Sequence, residues 1–585
     1  MGNPERATDA SDPLDVVMRY HRETKHHFRR YARSLGHMDW PNQPDPFRRY
    51  AGAPLVALPI LKPDDTLLQG APLAYADLYR APTDASAPIN KYSLSRFFEY
   101  SLAITAWKQA GEVRWALRAN PSSGNLHPTE GYLLVGDVAD LSTAPGLYHY
   151  TAKEHALELR AEWSKESLSA LLRGFPPHAF LLGFASVNWR ETWKYGERAF
   201  RYCQHDVGHA LGSARFAART LGWNMLLLDA TADDTVAALL GLDRTEDFTE
   251  AEREHPDCLV VVWPADQQAT SSGETTSLPL CLAPDAVPAP TQLTWHGKAN
   301  RLSRNAPVQW PILNQVEVAA RKPGTERSVV RVKHKISASD QVSARVGAPG
   351  IYPHDAGAAQ VIRQRRSALS FDGRTSISAD CFFTMLGRVL PRVERDLYDR
   401  PMPWDALPWA PAVHLALFVH RVDGLAPGIY LLARDPAQVP VLKVAMQRQF
   451  DWTTPPGCPA DLPLFFLEEG DARQMATDVS CHQAIAADGA FSLGMLAEFE
   501  ANLRRHGPWF YRRLFWETGV IGQVLYLEAE ASGVRATGIG CFFDDPVHQV
   551  MGLTDATFQS LYHFTTGGPV EDPRLTTLPP YEFDH

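Results

Sequence analysis

The sequence predicts an α+β protein built from two domains that repeat one another. Its 585 residues exceed what one hydrophobic core organises, since single cores stop growing at roughly 250–300 residues. Four short segments also recur in one order. Pro145-Gly146-Leu147-Tyr148 returns as Pro427-Gly428-Ile429-Tyr430, an offset of 427 − 145 = 282, and the strand Tyr132–Val138 returns as Ala416–Val422, offset 284. Asp233-Asp234 and Leu239-Leu240-Gly241-Leu242 return as Asp544-Asp545 and Val550-Met551-Gly552-Leu553, offset 311. The pattern is that of a tandem duplication whose second copy gained 311 − 284 = 27 residues between its matched parts. Helical stretches alternating with short apolar strands complete the case for helices around a sheet.

The elements follow in order. Residues Asp15–Gly36 read as a helix whose apolar set is Val16, Val17, Tyr20, Phe28, Tyr31 and Leu35. Its other face carries Arg22, Lys25, His26, Arg29, Arg30 and Arg33, a basic face that is solvated or binds an anion. Trp40–Pro46 is stiffened by proline into an extended segment. Leu94–Gln109 and Val207–Leu221 read as helices and Leu259–Trp263 as a strand. The polar stretch from Gln267 and the proline- and alanine-rich Ala283–Pro290 read as a linker. Ser378–Val389 is a further helix. The expected division is an N-terminal helical and extended segment (1–87), a first domain (88–265), a linker (266–349) and a second domain (350–585).

Composition narrows the function. A net charge of −10 without long single-sign blocks argues against nucleic acid as the main partner. No apolar signal core follows Met1, and no run approaches the ~18 apolar residues that cross a bilayer. Seven scattered cysteines without a Cys-x-x-Cys suit reduced thiols, so a cytoplasmic protein off the membrane is expected.

The chemistry concentrates in Asn120-Pro121-Ser122-Ser123-Gly124-Asn125-Leu126-His127-Pro128, a loop running into the apolar strand at Tyr132. Two hydroxyls, a glycine and an amide between prolines suit a rigid loop offering neutral hydrogen bonds to a flat, polar-edged ligand. The basic tripeptide Gln364-Arg365-Arg366-Ser367 precedes the Ser378 helix, and guanidinium groups match phosphate in a two-pronged way. Trp193-Lys194-Tyr195-Gly196 leads into a helix read as starting near Asp206, which would cap it. A lysine whose pKa is lowered by burial can act as a base, and a phenol can relay a proton. His205 and His209 lie four apart without the Glu of a His-Glu-x-x-His zinc motif, so no metal is expected. No Gly-x-Gly-x-x-Gly follows a strand, so no separate dinucleotide domain is expected.

The stretch Arg118–Tyr132 resembles the flavin-binding loop of the nitroreductase family, and within it the SagB-type dehydrogenases, the branch that includes thiazole- and oxazole-forming enzymes. The resemblance implies two fused nitroreductase-like domains, each a mostly antiparallel sheet flanked by helices, joined as an intramolecular pseudo-dimer. It implies an FMN site composed of both halves. Pro121, Ser122, Ser123 and Asn125 would come from one half, with Arg365, Arg366, Ser367, Gly538, Ile539, Gly540 and Arg574 from the other. At offset 284, Asn125 falls on Trp409 and Ser123 on Leu407, so the second site should be degenerate. Lys194 and Tyr195 resemble the Lys-Tyr motif of azoline dehydrogenases and are the expected catalytic pair; their counterpart in the second copy is Arg505-His506-Gly507.

The function so implied is dehydrogenation of thiazoline or oxazoline rings in a peptide or small molecule, with a cyclodehydratase as partner. The alternatives are an NAD(P)H-dependent nitro- or quinone reductase, with NAD(P)H as electron donor, and a non-catalytic scaffold. Further pairing of chains is left open.

Overall fold

The computed structural model describes residues 12–60, 73–80, 86–266, 275–305, 307–325, 328–333, 356–392, 396–397 and 400–581. Two antiparallel sheets, one per half, form its frame. In the first half Thr129–Val135 (β1), Gly146–Thr151 (β2), Ala156–Glu162 (β3), Phe180–Ser186 (β4), Trp223–Leu227 (β5) and His255–Pro264 (β6) run in the order β3-β2-β1-β4-β6-β5. In the second half Val413–Val419 (β7), Gly428–Leu432 (β8), Leu464–Glu469 (β9), Phe491–Glu498 (β10), Arg535–Ile539 (β11) and Phe558–Gly567 (β12) run β9-β8-β7-β10-β12-β11. The two orders are the same, strand for strand.

The main helices are Pro13–Glu23 (α1), Lys91–Ser101 (α2), Asn188–Tyr195 (α3), Ala199–Thr220 (α4), Asp233–Leu240 (α5), Pro311–Ala319 (α6), Ala358–Gln364 (α7), Ala379–Arg388 (α8), Phe510–Ala531 (α9) and Asp544–Met551 (α10). The same offsets relate whole elements. α4 and α9 are related by 510 − 199 = 311 and 531 − 220 = 311, and β1 and β7 by 413 − 129 = 284.

Alternation along the strands sorts the core into layers. Leu133 and Val135 of β1, with Leu415, Leu417 and Val419 of β7, enter one core shared by both halves. Tyr132 and Leu134 face an outer core of the first half, and Ala416 and Phe418 an outer core of the second. The long helices α4 and α9 fill the shared layer. They cross where neither has a side chain: a Cβ on Gly208 would overlap the Trp516 carbonyl, and one on Gly519 would overlap the His205 carbonyl. Since 519 − 208 = 311 and 516 − 205 = 311, the contact is reciprocal, the mark of a two-fold relation.

Several expected boundaries move. The first helix stops at Glu23; Phe28 and Tyr31, expected on its apolar face, are each about half exposed beyond its end. Part of the basic set pairs with acids, Lys25 on Asp545 at 2.8 Å and the largely exposed Arg33, through Nε, on Glu197 at 3.0 Å. The helix read as Leu94–Gln109 ends at Ser101, and Ile104–Ala110 pairs as a strand with Val113–Arg118, where β-branched and aromatic side chains favour pleated backbone. Within 266–349, expected as a linker, the described residues are folded. Thr275–Pro279 pairs with Val329–Lys333, Thr294–Trp295 extends the first sheet, and Leu278, Leu280 and Leu282 join the first half's outer core. At the far end Thr576–Leu578 adds to the Ile104–Ala110 strand, so the tail of the second half completes a sheet of the first.

Candidate functional site

The loop Asn120–Pro128 leaves the Val113–Arg118 strand and enters β1. Its backbone turns through positive φ at Gly124, Asn125 and His127. Side chains hold that shape. Ser122 Oγ accepts from the His127 amide at 2.8 Å, Asn125 Nδ2 donates to the Ala116 carbonyl at 2.9 Å, and Asn125 Oδ1 faces His127 Nε2 at 3.0 Å. Ser123 donates from its amide (3.0 Å) and its hydroxyl (2.9 Å) to Asp206. Helix α4 starts at Ala199, so Asp206 lies inside it and braces the loop; it caps nothing. Pro121 is buried at the base of the loop.

Lys194 and Tyr195 end α3 directly above the loop. A Cβ on Gly124 would stand 2.6 Å from the Tyr195 hydroxyl and 3.0 Å from Lys194 Nζ. The lysine nitrogen lies 5.2 Å from the Tyr195 ring centre, and that ring packs on Tyr202 at 4.4 Å. Both residues of the pair are only half-buried, short of the enclosure expected for the lysine. Burial, with Glu191, Tyr202 and Asp206 adding to it, pushes the Tyr195 phenol well above its usual range.

Beneath the pair are two buried carboxyls. Burial pushes Asp206 up to about 7, against the hydrogen bonds from Ser122 and Ser123. Glu191, one helical turn before Lys194, is fully buried with neither oxygen hydrogen-bonded. Burial and the Asp206 charge push its carboxyl well up, opposed by Lys194 and Arg190.

The second half delivers its residues to the same place. Arg365, closing α7, donates from Nη2 to the Arg118 carbonyl at 3.0 Å and lies 5.1 Å over the Tyr526 ring. Its buried Nε has no partner, and neither has Nε of buried Arg118. Arg366 donates to the Thr105 hydroxyl (3.0 Å) and carbonyl (3.1 Å). Burial and the Arg365 charge push Arg366 down to about 10, and burial also lowers Arg365 and Arg118; Glu530 is the acid that opposes this at Arg365 and Arg366. Buried cations with unused donors suit an anion. Ser367 Oγ meets the Tyr526 hydroxyl at 2.9 Å, which accepts from the Gly538 amide at 2.9 Å.

Gly538 and Gly540 are required by aromatic neighbours: a Cβ at Gly538 would overlap the Tyr562 hydroxyl, and one at Gly540 would press on the Tyr202 ring. Ile539, between them, is buried in the second half's outer core. Arg574 stands away from these contacts, its side chain 85% exposed and its guanidinium on Asp572 at 2.7 Å.

Sequence reasoning missed Tyr526, Tyr562, Glu191 and the bracing role of Asp206. All sit in helix or strand interiors and look like core positions. His205 and His209 serve this aromatic cluster, His205 stacked on Tyr562 at 4.2 Å and His209 Nε2 facing its hydroxyl at 3.3 Å. Among the described residues no group of His, Cys, Asp and Glu is placed to hold a metal.

The repeat supplies a comparison inside the chain. Glu517 occupies the α9 position of Asp206, 517 − 206 = 311. It accepts from the amides of Ala412 (3.0 Å) and Val413 (3.2 Å), from Trp409 Nε1 (3.3 Å) and from Arg434. Trp404 and Trp409 are buried around it, with Arg434 4.4 Å over the Trp404 ring. Where the first half has a hydroxyl loop, the second has tryptophan and an ion pair.

Known proteins can now be set beside this geometry. The chain is 32% identical over 136 residues to the trifolitoxin-processing protein TfxB of Rhizobium leguminosarum bv. trifolii, covering 22% of this chain and 36% of that one. It is 31% identical over 124 residues to a Methanocaldococcus jannaschii protein named as a nitroreductase, covering 20% and 62%. The chain thus spans less than two thirds of either relative. Among solved structures, one from Anabaena variabilis named as a nitroreductase aligns over 95% of this chain and 99% of its own, with a TM-score of 0.62 at 20% identity, a likeness of fold. The model of the nitroreductase family matches residues 108–251, the span holding the Ser-Ser-Gly-Asn loop, Lys194, Tyr195 and α4, and these residues form a nitroreductase-family domain.

Proposed function

We propose that the chain is an FMN-dependent oxidoreductase of SagB type, a tandem duplication with one composite site, that dehydrogenates azoline rings in a peptide or small molecule. One observation carries this reading: Lys194 and Tyr195 of the first half stand over Gly124, while Arg365 of the second half reaches the carbonyl of Arg118 at the entrance of the same loop. Arg365 and Arg366, whose buried charges lack full compensation, would hold the FMN phosphate. Pro121, Ser122, Ser123, Asn125, Ser367 and the Gly538–Gly540 backbone would hold the ring. Bound there, FMN supplies a two-electron acceptor for hydride.

The chain's own residues supply proton handling. A Tyr195 phenol held well above its usual range keeps its proton and would serve as a hydrogen-bond donor, and Lys194, in its uncharged form, would be the proton acceptor of the pair. The relative named for trifolitoxin processing supports a processing role; a peptide substrate and a cyclodehydratase partner belong to the proposal.

The test is the visible spectrum of the purified protein, with released flavin counted against protein. About one FMN per chain is expected. Lys194→Ala and Tyr195→Phe should keep the flavin and lose azoline oxidation by roughly 10²–10⁴-fold, whereas Arg365→Ala should lose flavin. Two FMN per chain would overturn the single composite site. No flavin binding even with added FMN would favour the scaffold, and rapid bleaching by NADH with no azoline oxidation would favour a nitro- or quinone reductase.

A further inference from the structure

Cys481 and Cys541 are far apart in sequence and touch in the fold. The Cys541 thiol lies on the Cys481 sulfur at 2.7 Å, and both are free thiols with partial exposure. The four cysteines at 203, 258, 281 and 381 are buried. The two chain segments are fastened around the pair. The Phe543 amide donates to the Val479 carbonyl at 2.8 Å, and Gln483 Nε2 donates to the Cys541 carbonyl at 3.0 Å. Cys481 and His482 both take positive φ, a costly backbone for residues with a Cβ, and this turn sets the Cys481 thiol against Cys541.

Their mutual hydrogen bond makes the two thiols unlike, since Arg198 and Asp544 act on both in the same sense. Cys541 is held below its usual range by the hydrogen bond with Cys481 and by Arg198, against burial and Asp544, while Cys481 is pushed up. Two partly exposed thiols in contact, one held below its usual range and the other above it, suit a nucleophilic and a resolving cysteine. Packing alone does not call for it, since an inert core cysteine is buried with its thiol pushed up, as Cys203 and Cys258 are.

We infer that Cys481 and Cys541 form a hydroperoxide-reactive dithiol, with Cys541 as nucleophile and Cys481 as resolving thiol. The Cys541 thiolate attacks one peroxide oxygen; the O–O bond breaks, and the leaving hydroxide or alkoxide takes a proton from solvent as water or alcohol. Cys541 is then a sulfenic acid. The Cys481 sulfur attacks it, forming the S–S bond, while the sulfenic oxygen leaves with the Cys481 proton as water. Two thiols lose two electrons in all and the peroxide gains two. A small-molecule dithiol returns the pair by exchange. The site stands beside the candidate active centre: Cys541 follows Gly540, whose carbonyl accepts from Tyr202 at 3.0 Å, and Tyr202 packs on Tyr195.

The inference does not rest on the proposed flavin chemistry, and its test requires no turnover. The purified full chain is treated with equimolar hydrogen peroxide, blocked with iodoacetamide and mapped by mass spectrometry without reduction. A cross-linked Cys481–Cys541 peptide lighter by two hydrogens is expected and should vanish after dithiothreitol. In Cys481→Ser, dimedone should trap a sulfenic acid at Cys541. In Cys541→Ser, Cys481 should oxidise roughly tenfold more slowly. The internal standard is Cys458, also half-buried, whose thiol burial and Asp461 push up to about 11. If wild-type Cys541 reacts no faster than Cys458, the nucleophile assignment is overturned. If the cross-link forms with glutathione disulfide and not with peroxide, the oxidant class is overturned.

Discussion

Asp206 and Glu517 stand at one position of two helices and are compensated in different ways. Asp206 has only loop hydrogen bonds, and its carboxyl titrates near 7 in the fold against 3.8 ordinarily. Between those values the folded chain holds a proton that the unfolded chain has released. Its contribution therefore turns steadily less favourable from pH ~4 to ~7 and levels off above. Asp206→Asn, which keeps an acceptor for Ser123, should gain on the wild type by a few kcal/mol between pH 5 and pH 8 in urea unfolding, at about 1.4 kcal/mol per pKa unit. A difference that stays constant with pH would mean that Asp206 is ionised throughout. Glu517, by contrast, is ion-paired with buried Arg434 and accepts two amides. Glu517→Gln leaves that guanidinium uncompensated and should cost about 3–5 kcal/mol in the same assay.

At the scale of elements, the α4–α9 crossing depends on Gly208 and Gly519, where backbone meets backbone. Gly208→Ala and Gly519→Ala should each destabilise by about 3 kcal/mol or more, and by similar amounts, because each Cβ meets the equivalent carbonyl. Gly357→Ala, at the N-cap of α7 with φ of −64° and no atom nearer than 3.9 Å to the added Cβ, is the mild control, expected to change stability by less than about 1 kcal/mol. These helices also show what sequence can reveal. The repeat at 311 lies in short matches and needs no long-range knowledge. Helix ends were less legible: Ile104–Ala110 carries apolar residues that suit either period, and only the partner strand at 113–118 decides between them. The segment after 266 looked like a linker because it opens on a polar stretch, yet the short apolar run that follows brings Leu278, Leu280, Cys281 and Leu282 into the core. The loop, the arginine pair and Lys194–Tyr195 were legible because each is a compact run of unusual residues. Glu191, Tyr526 and Tyr562 were not, since each is an ordinary interior residue whose neighbours come from another part of the chain.

Across the whole molecule the halves are tied by exchanged arms as well as by the shared core. The tail strand Thr576–Leu578 covers the 104–110 strand, Tyr581 accepts from the Ile104 amide at 3.0 Å and donates to the Ala152 carbonyl at 3.0 Å, and Trp107 donates to the Pro580 carbonyl at 2.7 Å. Removing residues 573–585 should speed hydrogen exchange through 104–118 while leaving the second sheet protected. Because Arg366 is anchored on Thr105, the same truncation should, under the proposed function, speed flavin release. Unchanged exchange at 104–118 would show that the hairpin stands without the tail.

The reciprocal glycine crossing has one more consequence. In an assembly of two identical chains every substitution is made twice, so a tryptophan that blocks one cavity blocks both. Here the two sides of the axis are encoded separately. Trp409, Arg434 and Glu517 line a small pocket on one side, while Ser122, Ser123 and Asn125 shape a hydroxyl-rich loop on the other. A single polypeptide can thus place different side chains at two positions related by the two-fold, and a substitution at one is not repeated at the other.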